Sequence, residues 1–555
     1  MKVNWDRLTL LFLGGMTLLR LLVAPTFGLG VDEAHYFLYA YFLDWSYVDH
    51  PPLVGWVHWP LYKLFGTNEF LVRLPAIILF AAVSLFLHRW VLSFSNSPLV
   101  AFLSVVAVNS SFLFNALSVM LLPDCFLLLI IFPLMTAMGN IAAAPRGQAR
   151  RRDFVMLGLL LGLAGLAKYT AVLFLPPLLV YLLLKKRYDL LYAPGMYLAA
   201  GIALVVISPV LVWNIQNDFI SFHYQGGHVL AATAPSAKSF LVSLLAQFGA
   251  YSPPLFLVAF YGLYRSGRET DDRIRLAVLF GVTILLFFFY SSLYERTLPH
   301  WPSLFYLLFI PVGAYSLLGS GSRVQRNLFF FSVGFSLTLT LFLAAALPAK
   351  WFTFPDYRSP FRDIVGYELI AREGDALLRR GPAGAEREDR RDKASGELSP
   401  GRADGAERSG RGIVPVPPVA PAPEYGRPAR NGGQGPIAEA SPTGESGKAV
   451  VAPAPRRAVA VTNWTMGSRM IYYSLPYGRE VFVLDNRPDQ FDVWQPAAPL
   501  GYDLLFVKTH FHGLDICPAY RCTACEVAGK LDIVLNGGKV DSVEFVWCRN
   551  YQGIR

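Results

Sequence analysis

The sequence predicts an all-α polytopic membrane protein that ends in a small α/β domain. Of its 555 residues, 54% are hydrophobic and only 16% are charged, whereas soluble proteins carry about 25% charged residues. Apolar runs recur from Leu8 to Leu347, and each has about the 20 residues that a helix needs to cross a bilayer. Beyond residue 457 the pattern changes to short alternating segments, which are typical of strands.

The apolar runs predict the crossings in order. Clear runs lie at 8–29, 70–90, 98–118, 121–140, 192–213, 240–263, 275–293, 299–318 and 327–347. The stretch 154–184 is too long for one ordinary crossing, and we interpret it as a hairpin of two short helices with Lys168 and Tyr169 at its tip. A cleaved signal peptide is the alternative for the first run, but Arg20 and the lack of a small-residue cleavage pattern argue against it.

The basic loops set the orientation, because Lys and Arg are enriched in cytoplasmic loops. The basic loops lie at 146–152, 185–187, 265–275 and 323–326. If the stretch 154–184 crosses the membrane twice as a hairpin, all of these loops fall on the same side of the membrane. We therefore expect about eleven crossings in a cell inner membrane, with a cytoplasmic N-terminus and a periplasmic C-terminal domain. The net charge of +10 follows this topology, so it does not indicate a nucleic-acid partner.

Three regions follow from composition. Residues 1–350 form the membrane domain, in which 29–70 is the first outer loop. Residues 374–457 are rich in Gly, Pro, Ala and Arg and cannot bury enough apolar surface to fold, which predicts a disordered linker. Residues 458–555 contain strand-like segments such as YDLLFVK and a helix at about 465–474, which predict a small periplasmic α/β domain.

Four of the five cysteines cluster in this last region, at Cys517, Cys522, Cys525 and Cys548. In an oxidising compartment such a cluster predicts two disulfides, with the connectivity open. The pair Cys522 and Cys525 also has the spacing of half a zinc site, which is the weaker interpretation.

The densest set of ionisable residues follows the first crossing. Gly28 and Gly30 end that helix, and on a new helix Asp32, His35 and Tyr36 share one face with Tyr39. Ionisable groups near membrane depth are costly and are functional candidates by default. The alternative is an interfacial amphipathic helix whose acidic residues only favour its positive N-terminal end.

Other outward loops carry polar groups at similar depth. They are Asp49, His50, Asp124, Lys168, Tyr169, Asn214, Arg296 and His300. Asp124 alone could be a helix N-cap and His300 an interfacial anchor, but Lys168 between two short apolar helices needs a counter-ion or an anionic ligand. Together they predict a polar pocket that opens outward. Cations that hold a lipid-linked phosphate and a carboxylate that deprotonates an acceptor would suit group transfer there. The sequence has no Walker motif, dinucleotide-binding glycine loop or HExxH.

Six motifs carry a resemblance to a known family. They are Asp32-Glu33-Ala34-His35-Tyr36, Asp49-His50-Pro51-Pro52-Leu53, Pro123-Asp124, Gly165-Leu166-Ala167-Lys168-Tyr169, Trp213-Asn214 and Pro299-His300-Trp301. In combination they resemble bacterial GT-C superfamily glycosyltransferases related to protein O-mannosyltransferases, aminoarabinose transferases and lipid A galacturonosyltransferases.

The resemblance implies a GT-C type fold over roughly residues 1–350 and an inverting transferase that uses a polyprenyl-phosphate sugar. The acceptor would be lipid A, another glycolipid, a glycan or a protein. By this resemblance Asp32 is the catalytic acidic residue with Glu33 beside it, Asp124 is the second acidic position, and Lys168 is a candidate contact of the donor phosphate. From the chemistry of the residues we expect Glu33 and Asp124 to orient or support the base, and Lys168 and Arg296 to hold the phosphate. The residues expected to line the pocket are His35, Tyr36, Asp49, His50, Tyr169, Asn214 and His300. No cofactor is implied, and a divalent metal bridged by Glu33, Asp49 or a histidine stays an open alternative.

One position departs from the pattern. Family members that act on lipid A often have a lysine directly before the Pro-Pro pair, where this chain has His50 preceded by Asp49. Because histidine titrates near neutral pH, the donor preference of those members does not carry over. The rival hypotheses are a transporter or flippase of lipid-linked sugars, for which we find no internal repeat, and a silent scaffold with a tethered sensor domain.

Overall fold

The structure of the protein is a computed structural model that describes residues 3–230, 234–346, 349, 351–382 and 456–555. The chain divides into two compact units, Met1–Phe352 and Thr353–Arg555. Most of the predicted linker, residues 383–455, lies outside the described residues.

The first unit is helical throughout. Its helices are α1 (Trp5–Val23), α2 (Val31–Tyr41), α3 (Leu53–Phe65), α4 (Glu69–Ser95), α5 (Pro98–Ser110), α6 (Phe112–Leu117), α7 (Pro123–Ala143), α8 (Arg151–Ala167), α9 (Leu175–Leu184), α10 (Tyr188–Leu191), α11 (Pro194–Gln216), α12 (Ile220–Leu230), α13 (Ala237–Ala250), α14 (Pro253–Ser266), α15 (Asp272–Ser292), α16 (Ser303–Leu318) and α17 (Arg323–Ala346). Short 3-10 segments follow α1 at Ala24–Thr26 and precede α9 at Tyr169–Phe174.

The predicted many-crossing helical class is confirmed. Within the described ranges, six helices are long and apolar enough to cross a membrane: α1 with its 3-10 turn, α4, α7, α11, α15 and α17. Shorter apolar helices lie at Pro98–Ser110, Tyr169–Leu184 and Ser303–Leu318. Each predicted run falls on one or more helices of the unit, and the total of about eleven crossings stays a prediction.

The run 240–263, which the sequence predicts as one crossing, is sharply bent in the structure. It is divided into α13 and α14, which meet at an angle of 107°. Ser252 between them has a φ of 67°, and Pro253 and Pro254 follow at the start of α14. Proline lacks an N–H and favours the first turn of a helix, so the pair begins a new helix instead of continuing the old one.

The predicted hairpin over 154–184 has Lys168 at its break. There α8 ends at Ala167, and the backbone of Lys168 is extended before the 3-10 segment that leads into α9. Glycines bring α8 close to α11, because a side chain at Gly162 would collide with Val206 and one at Gly158 with Ala199. This close packing carries the hairpin tip to the end of α11.

The second unit is built on a five-stranded mixed sheet in the order β2-β1-β3-β5-β4. Its strands are β1 (Arg457–Val461), β2 (Val481–Val483), β3 (Asp503–Thr509), β4 (Ala524–Leu535) and β5 (Gly538–Arg549), and its helices are α18 (Tyr367–Arg380), α19 (Trp464–Ser474), α20 (Gln490–Trp494) and α21 (Ile516–Ala519). Strand β1 pairs in parallel with β2 and β3, whereas β5 is antiparallel to β3 and β4. The small C-terminal α/β domain is thus confirmed.

The predicted linker boundary at residue 374 is wrong. Helix α18 continues to Arg380 and buries Ile370, Leu377 and Leu378. These apolar side chains are separated by charged and small residues. The average composition of the stretch therefore resembles that of a linker, although its apolar residues lie on one face of a helix.

The four clustered cysteines form two disulfides, Cys517 with Cys525 and Cys522 with Cys548. The structure therefore assigns the connectivity that the sequence left open. With all four sulfurs paired, Cys522 and Cys525 offer no thiolate for a zinc ion. Cys125 is free and buried.

Removing the Cys522–Cys548 disulfide is expected to destabilise the second unit more than removing Cys517–Cys525. The former links residues 26 positions apart and the latter 8, and in the chain-entropy model these loops correspond to about 3.5 and about 2.5 kcal/mol. Limited proteolysis of the full chain with each pair changed to alanine would measure this. The Cys125→Ala variant is the control, and equal sensitivity of the two pairs would contradict the ranking.

Candidate active site

Helix α2 carries two adjacent carboxylates with different surroundings. Glu33 is buried, with a side-chain exposure of 1%. Its Oε1 lies 2.8 Å from Nε of Arg73 and its Oε2 lies 2.9 Å from Nη2 of the same residue. Glu33 Oε2 also accepts the backbone N–H of Gly30 at 2.9 Å, which closes the first turn of α2.

Arg73 ties the preceding chain to this ion pair. Its guanidinium donates to the carbonyl oxygens of Ala24, Phe27 and Gly28 at 2.5, 2.8 and 2.9 Å. Three contacts of Glu33 thus hold the turn before α2, which is the arrangement that a positioning role would require. The sequence analysis missed Arg73, although an arginine inside the apolar run 70–90 was a signal in itself.

The carboxylate of Asp32 differs from that of Glu33 in having no partner of this kind in the described part of the chain. It is half-buried, and it forms no hydrogen bond or ion pair with any residue that the structure describes. Its charge acts on Tyr36 and on His300. Successive residues of a helix point about 100° apart, so Asp32 lies on the face of Tyr36 while Glu33 lies against Arg73.

A second carboxylate, Asp124, is paired in the same region. Asp124 begins α7, and both of its oxygens lie 2.8 Å from Nζ of Lys168. His300 Nε2 lies 3.9 Å from Asp124 Oδ2. The counter-ion that the sequence demanded for Lys168 is thus Asp124, and the structure brings both together with His300.

Asp49 is the centre of a third set of contacts. Its Oδ2 lies 3.1 Å from His35 Nε2 and 3.3 Å from His50 Nδ1, and its Oδ1 accepts the Tyr39 hydroxyl at 2.5 Å. Burial acts to raise the pKa of Asp49, but the charges and hydrogen bonds of His35 and His50 outweigh it and place the pKa well below its usual value. Asp49 therefore holds His35, His50 and Tyr39 together through its carboxylate.

Aromatic and histidine side chains connect these sets. His50 Nε2 lies 3.5 Å from the Tyr36 hydroxyl, and the two rings stand edge to face with centroids 5.2 Å apart. His50 also interacts electrostatically with Asp124 and His300. Asp32, Asp49 and Asp124 are consequently joined through Tyr36, His50 and His300 in one polar cluster.

The break between α8 and α9 holds the loop between α2 and α3 in place. The Tyr169 hydroxyl lies 3.1 Å from Ser46 Oγ and 3.5 Å from Asn214 Nδ2. Helix α12 supports the same loop, because Gln225 Nε2 donates to the carbonyl of Asp49 at 2.8 Å. The sequence analysis missed Ser46 and Gln225, since an uncharged polar side chain gives no signal of its own in the sequence.

Replacing Tyr169 by Phe is expected to lower stability by about 1–2 kcal/mol. The substitution removes the hydroxyl that Ser46 and Asn214 contact but keeps the ring that packs against Phe222. Thermal unfolding of the purified chain would measure the change. Tyr188→Phe, at a tyrosine with an exposed fraction of 54%, should leave the unfolding temperature unchanged, and an equal effect of the two variants would contradict the supporting role of Tyr169.

Two other expectations concern Arg296 and a metal ion. Arg296 is exposed and has no hydrogen-bond or ion-pair partner among the described residues, so the structure does not join it to the cluster. Within the described part of the chain, no group of three or more His, Cys, Asp or Glu side chains is arranged to hold a metal. Glu33, one of the suggested bridging ligands, is already held by Arg73.

Comparison with known proteins supplies independent information. Residues 49–213 match the family described as dolichyl-phosphate-mannose-protein mannosyltransferase. The lipid A galacturonosyltransferase RgtD of Rhizobium johnstonii is 26% identical over 358 residues, which are 63% of this chain and 69% of that protein.

The fold has a counterpart among solved structures. ArnT from Cupriavidus metallidurans in the apo state superposes with a TM-score of 0.59 and 14% identity, over 98% of both chains. The same protein bound to undecaprenyl phosphate gives a TM-score of 0.57 over 97% of both chains, again with 14% identity. At this level of identity the likeness concerns the fold alone. Taken with the family match and the curated relative, it confirms the resemblance of the motifs to GT-C glycosyltransferases, and the chain is a membrane glycosyltransferase.

Proposed function

We propose that this chain moves a sugar from a polyprenyl-phosphate donor to an acceptor outside the cytoplasm, with inversion at the anomeric carbon and Asp32 as the base. The observation that supports this most is the unpaired state of Asp32. The carboxylates of Glu33, Asp49 and Asp124 each have a cationic or hydrogen-bonding partner, whereas Asp32 has none among the described residues. An unpaired, half-buried carboxylate can take a proton from a bound hydroxyl.

In the proposed reaction the acceptor hydroxyl oxygen attacks the anomeric carbon as Asp32 takes its proton. The bond between that carbon and the phosphate oxygen breaks on the opposite side, and the polyprenyl phosphate leaves with the electron pair. One displacement of this kind inverts the anomeric configuration. His35 and Tyr36 lie on the Asp32 face of α2, where they would line the sugar pocket.

Lys168 would stabilise the leaving phosphate. An ammonium group has three donors, and the Asp124 carboxylate accepts from Lys168 at two oxygens, so one N–H direction stays available for a phosphate oxygen. His50 and His300 stand beside it. Arg296 lies on the exposed segment between α15 and α16 and would reach the phosphate only with the donor in place, so we give it a secondary role.

The relatives suggest the substrates. A prenyl-phosphate donor agrees with the ArnT structure that contains undecaprenyl phosphate, and a lipid A acceptor agrees with the lipid A galacturonosyltransferase. We therefore propose lipid A as the acceptor ahead of another glycolipid, a glycan or a protein. The sugar stays unassigned, because His50 occupies the position where a lysine precedes the Pro-Pro pair in members that act on lipid A.

The proposed orientation puts the polar cluster and the second unit outside the cytoplasm, in a cell inner membrane. The basic loops lie between α7 and α8, after α9, between α14 and α15 and at the start of α17. These helix ends are remote from the cluster, in agreement with a cytoplasmic N-terminus. Two disulfides in the second unit also suit an oxidising compartment.

The proposal is tested with the purified full-length chain in liposomes that contain a radiolabelled polyprenyl-phosphate sugar and lipid A. We expect the label to become covalently attached to lipid A, as seen by mass spectrometry, with stoichiometric release of polyprenyl phosphate. Liposomes without the chain are the control. Movement of the labelled donor between leaflets without covalent transfer would favour the transporter alternative, which the transferase relatives do not support.

A further inference from the structure

A cavity of about 730 Å³ lies at the end of the first unit remote from the candidate active site. It is formed by the C-terminal ends of α4 and α7, by the start of α8 and by the start of α15. Asn140 on its wall is about 24 Å along α7 from Asp124, at 1.5 Å per residue. The cavity therefore belongs to a different membrane interface from the polar cluster.

Two donors at this cavity lack acceptors. The Trp90 side chain is buried, and its Nε1–H has no hydrogen-bond partner among the described residues. Its ring is held against Phe94 and Phe132, with centroid distances of 5.0 and 5.4 Å. Arg89 lines the same cavity and forms no hydrogen bond or ion pair with the described part of the chain. A buried N–H without an acceptor costs free energy, so a ligand with acceptor oxygens would stabilise this wall.

The opposite wall carries carboxylates. Asp153 is buried, yet its contacts are long, at 3.5 Å to Asn140 Nδ2 and 3.9 Å to Nε of Arg152, whose side chain is 71% exposed. Asp271 also lines the cavity and caps α15. These carboxylates can accept hydrogen bonds from a cationic group, and they would repel a ligand that carries only negative charge.

The lining also includes the apolar side chains Phe86, Met156 and Leu276. Asp272 and Arg273 stand beside the carboxylates, and Arg273 is already engaged, since its Nη1 lies 3.5 Å from Asp271 Oδ2 and donates to the carbonyl of Ser93. A ligand that fits this cavity needs phosphate oxygens for the two donors and cationic N–H groups for the carboxylates. It also needs hydrocarbon chains for the apolar part of the lining. Because the cavity lies at the helix ends, it is at the depth of lipid headgroups. A quaternary ammonium has no N–H to donate to Asp153, whereas a primary ammonium has three.

We propose that this cavity binds a zwitterionic phospholipid with a primary ammonium headgroup, of the phosphatidylethanolamine type. Its phosphate accepts from Trp90 and Arg89, and its ammonium donates to Asp153. The acyl chains lie against the apolar part of the lining. This site is separate from the transfer reaction and does not depend on the proposed function.

The experiment uses the full-length chain in nanodiscs made of equal parts of phosphatidylethanolamine, phosphatidylglycerol and phosphatidylcholine, followed by native mass spectrometry of the lipids retained. The parent chain should retain phosphatidylethanolamine about tenfold over each of the others, which is about 1.4 kcal/mol of preference. Trp90→Phe keeps the ring but removes the donor and should lower this retention about fivefold. Trp59→Phe, at a half-exposed tryptophan on α3, is the matched control.

Two further variants separate the parts of the site. Asp153→Asn should lower retention of phosphatidylethanolamine and leave that of phosphatidylglycerol unchanged, which distinguishes loss of ammonium binding from unfolding. Arg89→Ala should lower retention of both phospholipids, compared with Arg323→Ala at an exposed position on α17. Equal retention of the three lipids, a preference for phosphatidylglycerol, or a Trp90→Phe variant that behaves like the parent would overturn the proposal.

Discussion

Replacing Asp32 by Asn is expected to lower the rate of sugar transfer by about 10³-fold, within the range that general-base catalysis contributes. The amide has nearly the shape of the carboxylate but cannot take the proton of the acceptor hydroxyl. Since Asp32 has no hydrogen-bond or ion-pair partner among the described residues, its replacement breaks no internal contact. The unfolding temperature and the amount of protein in the membrane should therefore match those of the parent.

The measurement is single-turnover transfer from a labelled polyprenyl-phosphate sugar in reconstituted liposomes. Asp515→Asn is the control, because its side chain is 77% exposed in the second unit and should have the parent rate. The Asp32→Asn variant should still bind the donor, as its phosphate contacts are intact. A transfer rate within a few-fold of the parent would remove Asp32 from the role of base, whatever the stability of the variant.

Replacing the next residue, Glu33, by Gln is expected to give the opposite result, a loss of stability of about 3–5 kcal/mol. The substitution leaves the guanidinium of Arg73 buried without its counter-charge, since the exposed fractions of the two side chains are 1% and 0%. Removing one partner of a buried pair is costly because the other charge stays in a region of low polarity. The turn from Ala24 to Gly30, which Arg73 ties to α2, should loosen as well.

Thermal unfolding in detergent, with the Asp32→Asn chain measured in parallel, would test this second prediction. Arg73→Lys should also be destabilised, because a lysine cannot reproduce the two parallel bonds to Glu33 together with those to three carbonyl oxygens. If Glu33→Gln unfolds at the temperature of the parent and only its transfer rate falls, Glu33 acts in the chemistry and the positioning role is incorrect.

The helical framework was predictable because its signals are local. Runs of about 20 apolar residues mark the long helices, and the shared face of Asp32, His35 and Tyr36 follows from helical spacing alone. The break at Ser252 was harder to foresee, since Pro253 and Pro254 can begin a helix or interrupt one. The α18 helix was missed because the average composition of its second half is that of the linker.

The pairing of charges within the site was not predictable in the same way. The sequence analysis made Asp32 the base and Glu33 its support, but it identified no partner for either residue. Only the tertiary contact with Arg73, 40 positions away along the chain, shows that Glu33 is the one held by a counter-ion. Lys168 was expected to need a counter-ion or a ligand, but the choice of Asp124 depends on how α7 and α8 are brought together. Helix spacing identifies which side chains share a face, whereas the partner across the bundle depends on long-range packing.

The ion pair between Lys168 and Asp124 means that a carboxylate of the protein neutralises the lysine when no donor phosphate is bound. A lone ammonium at this depth would be costly, so the resting enzyme avoids an uncompensated positive charge. During turnover the carboxylate shares this cation with the phosphate of the spent lipid carrier. We expect the sharing to weaken the hold of Lys168 on the carrier and to hasten its departure after each cycle. An enzyme without Asp124 should hold its product longer.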